Sequence, residues 1–131
     1  MTSHEPLVTG VDFAPIPARD LDAAVDFYGT KIGLTRSVYI KERSYAEFET
    51  GNVTLSVYGA EAMGMEFHAN SNPIALHVED VAEARAALEE RGVTFSADTL
   101  DTGVCHMAFF ADPDGNALML HHRYAPRTVE I

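Results

Sequence analysis

The chain repeats one pattern. Residues 18–24 follow an apolar, strand-like run, and residues 78–84, which have a similar sequence, follow a second such run. In each copy a cluster of alternating segments comes next, and a Gly-Asn turn, Gly51-Asn52 or Gly115-Asn116, introduces the last of them. A repeat of this length in 131 residues predicts two copies of one supersecondary unit. A cleft between paired copies is a natural place for a ligand.

Composition limits the classes of function. A chain of 131 residues that is 47% hydrophobic predicts one domain over residues 1–131. We expect no membrane span and no secretory signal, and Cys105 alone allows no internal disulfide, which fits a cytoplasmic location. The net charge of −11, from 20 acidic and 9 basic residues, argues against nucleic acid and anionic membranes as partners. It is compatible with a neutral or cationic small ligand.

The first copy, over residues 7–59, predicts one strand, one helix and three further strands. Asp20 is a good N-cap, and the apolar residues after it recur at helical spacing. The four predicted strands cover residues 7–17, 37–41, 44–50 and 53–58.

The second copy, over residues 73–124, follows a linker at 60–72 and repeats the same order. Asp80 caps its helix, and Glu83 stands where a capping box places an acidic residue. Its predicted strands cover residues 73–78, 93–97, 105–110 and 117–122. The predicted fold class is therefore α+β, with two βαβββ modules whose curved mixed sheets carry the helices on the outside.

Two segments, residues 18–28 and 109–116, resemble the vicinal-oxygen-chelate superfamily. That superfamily includes glyoxalase I, extradiol dioxygenases, fosfomycin-modifying enzymes and bleomycin-resistance proteins, and the resemblance runs from about Val8 to Tyr124. Because this fold carries many chemistries, the resemblance predicts the fold far better than the function.

The resemblance also locates the places where metal-dependent members hold their His, Gln or Glu ligands. These places lie seven residues before each capping Asp and four residues after each turn Gly, and here they hold Phe13, Pro73, Leu55 and Met119. All four side chains are apolar, and Met119 alone offers a donor, a soft thioether. We therefore expect no metal at the usual place and no cofactor.

Residues 13–20 look more like the metal-free branch typified by bleomycin-resistance proteins. Members of that branch are dimers whose concave sheets form clefts that sequester a ligand. The resemblance thus implies a homodimer with a small-molecule ligand.

Period-two alternation assigns side chains to the two faces of each strand. On the third strand it places Tyr45 and Glu47 toward the cleft, and on the seventh strand it places Met107 and Phe109 there. The predicted apolar lining consists of Phe13, Leu55, Val57, Met107, Phe109 and Met119. Glu47 has two interpretations. It either acts on a ligand, as a charge partner or general base, or is a solvated carboxylate on the strand.

Two histidines share the cleft-facing side of the second copy. His77 lies four residues beyond Pro73 and His121 two beyond Met119, while His122 points away. They form either a displaced metal site or acid/base pair, or two unconnected imidazoles.

These features predict metal-independent binding or sequestration of a small, largely apolar organic molecule, with a cationic group as an open option. The alternative is an enzyme, a lyase, isomerase or dioxygenase relative. It would use a non-standard metal site or metal-free acid/base chemistry through His77, His121 and Glu47.

Overall fold

The two copies of the pattern form two four-stranded sheets, as a computed structural model that describes residues 5–127 shows. The elements are β1 (Phe13–Ala18), α1 (Leu21–Asp26), a π-helical turn (Phe27–Lys31), β2 (Thr35–Ile40), β3 (Tyr45–Glu49), β4 (Thr54–Gly59), β5 (Ile74–His77), α2 (Val81–Glu90), β6 (Leu100–Asp101), β7 (Cys105–Ala111) and β8 (Ala117–Arg123). Short 3₁₀ turns cover Lys41–Arg43 and Glu61–Met63.

Both sheets have the same topology. Their strand orders are β1-β4-β3-β2 and β5-β8-β7-β6. β1 pairs with β4 in parallel, as β5 does with β8, and the other pairs are antiparallel. The predicted α+β fold with two related modules is therefore confirmed. No helix within residues 5–127 has the length and apolar character to cross a membrane.

Each helix starts where its capping aspartate predicts. The Asp20 carboxylate accepts a hydrogen bond from the Ala23 N–H at 3.2 Å, and the Asp80 carboxylate accepts one from the Glu83 N–H at 3.0 Å. These bonds satisfy amide groups that have no partner inside the helix.

One hydrophobic core joins the two modules. It lies against the helix-facing sides of both sheets, and ring contacts such as that between Phe27 and Phe110, 6.3 Å between centroids, connect the modules. Its largest fully buried side chains include Tyr28, Phe48, Ile16, Leu55, Leu118 and Val57. Both helices are therefore held by burial of one apolar side.

The first strand is shorter than predicted. It begins at Phe13, which pairs with Thr54, the first residue of β4, and residues 7–12 are exposed. The prediction of a strand from residue 7 is wrong because β4 has no residues left to pair with an earlier part of the chain.

The strand predicted over residues 93–97 is also wrong. Phe95 makes a single bridge to Phe110, and the strand that pairs with β7 is the later pair Leu100–Asp101. Val93 and Phe95 are buried, and the ring of Phe95 lies 5.0 Å from that of Phe110. Their alternation therefore reflects packing into the core and not a β-ladder.

Candidate functional site

The side of the first sheet opposite α1, which we call the first open face, contains two of the four polar candidates, Tyr45 and Glu47. The pairing registers arrange it in rows across the sheet. The first row is Phe13, Thr54 and Glu49, the second is Pro15, Ser56 and Glu47, and the third is Pro17, Tyr58 and Tyr45. Tyr45 and Glu47 thus lie on the side that the alternation predicted, with Phe13 in a neighbouring row.

The corresponding side of the second sheet, the second open face, is more apolar. One row contains Ala75, Met119 and Phe109, and the next contains His77, His121 and Met107. Phe109 and Met119 are directly opposite each other, as are Met107 and His121. All five predicted residues of this sheet lie in these two rows, and their role in ligand binding stays a prediction.

The predicted positions of Leu55 and Val57 are wrong. They pair with Ala14 and Ile16 in β1, on the helix-facing side, and both are buried in the core. Because strand side chains alternate, an error of one residue in register transfers the whole strand to the other face. The residue that pairs with Pro15 on the first open face is Ser56.

A hydrogen-bonded polar group lies at the centre of the first open face. The Tyr45 hydroxyl donates to the Glu47 carboxylate and lies 2.8 Å from the Ser56 hydroxyl. Burial, and then the hydrogen bond to Glu47, raises the pKa of Tyr45 above its ordinary value. The Tyr45 hydroxyl is therefore protonated at neutral pH and is held as a donor to Glu47.

The neighbouring carboxylate, Glu49, is held differently. It accepts hydrogen bonds from the hydroxyls of Ser37 and Thr54. The bond from Ser37, followed by that from Thr54, lowers the pKa of Glu49. Glu49 is thus ionised and already has two donors, whereas Glu47 has one.

The sequence left His77 and His121 either as a pair or as two unconnected imidazoles, and the ring contact of His77 is with His122. The backbone register places His77 beside His121, but the His77 ring lies 5.8 Å, centroid to centroid, from the His122 ring. The Nε2 atom of His77 is also 3.2 Å from the Glu79 carboxylate. The described contacts thus connect His77 with Glu79 and His122.

A cavity of about 570 Å³ lies between the edge strands β1 and β5. Its lining includes Ala14 and Leu55 of the first sheet, residues 74–78 of the second module and the turn at residues 50–53. Leu55 and His77 thus both line this cavity, whereas Val57 is buried in the core. Its volume lies within the range of small-molecule pockets.

The segment 109–116, which carried part of the family resemblance, joins the modules. Buried Asp112 accepts hydrogen bonds from the Tyr28 hydroxyl at 2.7 Å and from the Asn116 amide at 2.8 Å. Asn116 also donates to the Pro17 carbonyl at 2.7 Å. Burial, and next the charge of Asp112, raises the pKa of Tyr28, so this hydroxyl remains a donor. Asp112 and Asn116 of this motif therefore hold the two modules together.

The family's usual metal places do not fit a metal. Three of these places hold Phe13 at the start of β1, Pro73 just before β5, and Met119 in β8. On β4 the place itself holds Leu55, which faces the core, and its neighbour on the first open face is Ser56, whose hydroxyl is already bound to Tyr45. These side chains provide no imidazole or carboxylate, so we derive no step through a metal there.

Comparison with protein families identifies the class. The model of the Glyoxalase/Bleomycin resistance protein/Dioxygenase superfamily matches residues 10–120, and the chain belongs to this superfamily. The predicted resemblance is therefore confirmed.

Solved structures share the fold across almost the whole chain. A glyoxalase family protein from Bacillus anthracis has a TM-score of 0.78 at 20% identity, over 92% of this chain and 99% of that one. Lactoylglutathione lyase from Agrobacterium tumefaciens has a TM-score of 0.73 at 18% identity, over 88% and 95%. An antibiotic binding protein from Streptomyces sp. CB03234 has a TM-score of 0.75 at 22% identity, over 91% and 99%. At these identities the similarity shows the fold alone, and no curated protein matches the chain.

Sequence reasoning missed Ser56, Glu79 and His122. The alternation of Thr54, Ser56 and Tyr58 with apolar Leu55 and Val57 indicates the correct face of β4. The contact of His77 with Glu79 and His122 has no such signal, because it forms where β5 ends and the chain turns into α2.

Proposed function

We propose that the protein is a cytoplasmic homodimer that binds a small, largely apolar organic molecule on its open faces without a metal. Glu47 carries the proposal, because it is a half-buried carboxylate on the side of the first sheet opposite the buried core residues Ala46 and Phe48. Within residues 5–127 its carboxylate accepts one side-chain hydrogen bond, from Tyr45, and forms no ion pair. One carboxylate oxygen is therefore available to a ligand.

The surroundings of Glu47 favour a cationic group on that ligand. A partly desolvated carboxylate attracts a cation more strongly than an exposed one, because water screens it less. Tyr58 and Tyr45 lie opposite each other in the row next to that of Glu47. Aromatic rings of this kind also attract cations. Glu47 and Tyr45 would orient the charged end.

The second open face supplies the apolar part of the site. Phe109, Met107 and Met119 are each partly exposed, and Met107 lies directly opposite His121 while Phe109 lies opposite Met119. Methionine side chains adapt to irregular apolar shapes, which suits the binding of organic molecules. In this proposal the open face of one subunit meets that of its partner, and the ligand binds between them.

The family supports binding but does not identify the ligand. One structural neighbour is an antibiotic binding protein and another is a lyase, so the shared fold is compatible with both functions. The enzyme alternative requires Glu47 to act with His77 and His121. The His77 ring already has Glu79 and His122 as partners, which favours binding over this alternative.

A thermal-shift screen of the full chain against a library of neutral and cationic organic molecules tests the proposal. We expect hits among apolar molecules with a cationic group, and mass spectrometry should recover each hit unchanged after incubation. Conversion of a hit into a product would contradict the proposal and favour the lyase, isomerase or dioxygenase alternative.

The same hits test the location of the site. Ile74→Trp places a large side chain in the cavity between β1 and β5, and Glu47→Gln changes the first open face. Binding that is weakened by Ile74→Trp and unaffected by Glu47→Gln would move the site to the cavity.

A further inference from the structure

We propose that His77, Glu79 and His122 bind a divalent first-row transition ion of the Zn²⁺ type at the carboxyl end of β5. One nitrogen of each imidazole and one oxygen of the carboxylate lie within 4.8 Å of one another. Imidazole and carboxylate are donor types that Zn²⁺ prefers in proteins. The cluster contains none of the residues at the family's usual metal places, which are Phe13, Leu55, Pro73 and Met119.

The backbone orients His122 for this role. Its Nδ1 atom lies 3.2 Å from the carbonyl oxygen of Val78. A carbonyl oxygen only accepts hydrogen bonds, so Nδ1 is the donor in this contact and the other ring nitrogen, Nε2, is the one that can bind a metal. Metal-binding histidines usually have such a partner on the second ring nitrogen, which fixes the ring and its tautomer.

His77 and Glu79 can complete the site with small movements. Their ligand atoms, Nε2 and Oε1, are 3.2 Å apart, and their side chains are 65% and 90% exposed. Donors around a tetrahedral Zn²⁺ with bonds of about 2.0–2.1 Å are separated by about 3.4 Å. The longest edge of the cluster, at most 4.8 Å, therefore has to contract by about 1.4 Å at most, and the exposed side chains of His77 and Glu79 have that freedom.

The surroundings leave room for a further ligand and favour a cation. Glu79 and His122 line a cavity of about 320 Å³, and His106 lies on its wall, opposite His122 in the β7–β8 pairing. Asp80 also borders the cavity, but its carboxylate caps α2. A water molecule in this cavity would supply a fourth ligand, and the net charge of −11 raises the local concentration of cations.

Calorimetric titration of the untagged full chain with Zn²⁺ alone tests the proposal. We expect about one ion per chain, and we expect His122→Ala to weaken the affinity about tenfold or more. His121→Ala is the matched control, because His121 is the adjacent residue on the opposite face. His68→Ala is a second control, because His68 stands beside Glu66 at 3.7 Å in an exposed pair. Both controls should bind Zn²⁺ like the wild type.

His77→Ala and Glu79→Gln repeat the test at exposed positions, where substitution does not endanger the fold. Both should weaken binding as His122→Ala does. Non-stoichiometric binding, or an affinity that His122→Ala and His77→Ala leave unchanged, would overturn the proposal. Loss of binding in His121→Ala or His68→Ala would also overturn it, since the ion would then be held elsewhere.

Discussion

Asp112 shows how one residue connects sequence, packing and assembly of the modules. It is buried, and besides Tyr28 and the Asn116 side chain it accepts hydrogen bonds from the N–H groups of Asp114 and Asn116, each at 2.9 Å. A buried carboxylate is tolerated when it has several donors. Asp112 thus joins the π-helical turn of the first module to the turn that precedes β8.

Tyr28→Phe should lower the free energy of unfolding by ~1–3 kcal/mol, because it removes a donor from a buried acceptor and keeps the ring packing. Urea unfolding measures this change. Tyr39→Phe is the matched control, because Tyr39 makes a similar bond to Asp22 at 3.0 Å on the surface. Equal effects of the two substitutions would contradict the structural role of Asp112.

Glu49 gives a pH-dependent prediction. Its folded-state pKa is lowered by Ser37 and then Thr54, so the ionised form stabilises the fold above the ordinary glutamate pKa. That contribution is lost as pH falls through the folded-state pKa. Ser37→Ala and Thr54→Val should each raise the pKa of Glu49 in an NMR titration of the side-chain carboxyl.

Thr94→Val, on an exposed segment of the second module, is the control for that titration. If Thr94→Val changes the pKa of Glu49 as much as Thr54→Val does, the hydroxyl contacts are not the reason that this pKa is lowered.

At the scale of elements, the capping aspartates and the alternation on β3 and β7 were sufficient to predict both helices and the faces of Tyr45, Glu47, Met107 and Phe109. The position of the turn glycine did not indicate which β4 side chains face which side of the sheet. Gly51 is three residues before β4, whereas Gly115 is two residues before β8, so equal counts from the two glycines reach opposite faces. Leu55 was misplaced for this reason.

The contacts of His77 could not be predicted for a different reason. Alternation holds only inside a strand, and β5 ends at His77. Beyond that point the side-chain direction depends on how the chain turns into α2, which no residue pattern indicates. The same is true of Phe95, whose burial depends on the return of the chain from α2.

Asp80→Ala should lower the free energy of unfolding by ~1 kcal/mol, since the Glu83 N–H loses its acceptor and α2 loses its cap. Thermal unfolding measures this loss. Asp98→Ala, on an exposed loop of the same module, removes the same charge and should have little effect. Equal losses from both substitutions would show that charge, and not capping, is responsible.

At the scale of the molecule, a single chain leaves apolar side chains exposed to solvent on both open faces. Phe13 is 55% exposed on the first open face, and the partly exposed Phe109 and Met119 lie on the second. Apolar surface of this kind marks contact with a partner or a ligand. A symmetric second copy would cover both faces with the same interface.

Sedimentation equilibrium at micromolar concentration should therefore give a mass of about twice 14.3 kDa. Phe13→Glu should shift the equilibrium toward the monomer, because it places a charge on the covered surface. A wild-type chain that sediments as a 14.3 kDa species would contradict the dimer and the ligand site between subunits.

The central claim, that Glu47 holds a cationic group of a ligand on the first open face, is tested most directly by the dissociation constant of a cationic molecule recovered from the screen. Glu47→Gln should weaken its binding by ~1–3 kcal/mol, because the amide keeps the shape of the side chain and loses the charge. Glu42→Gln, on the exposed 3₁₀ turn, should leave the dissociation constant unchanged. If Glu47→Gln binds the molecule as tightly as the wild type, Glu47 is a solvated strand carboxylate and the proposed site is wrong.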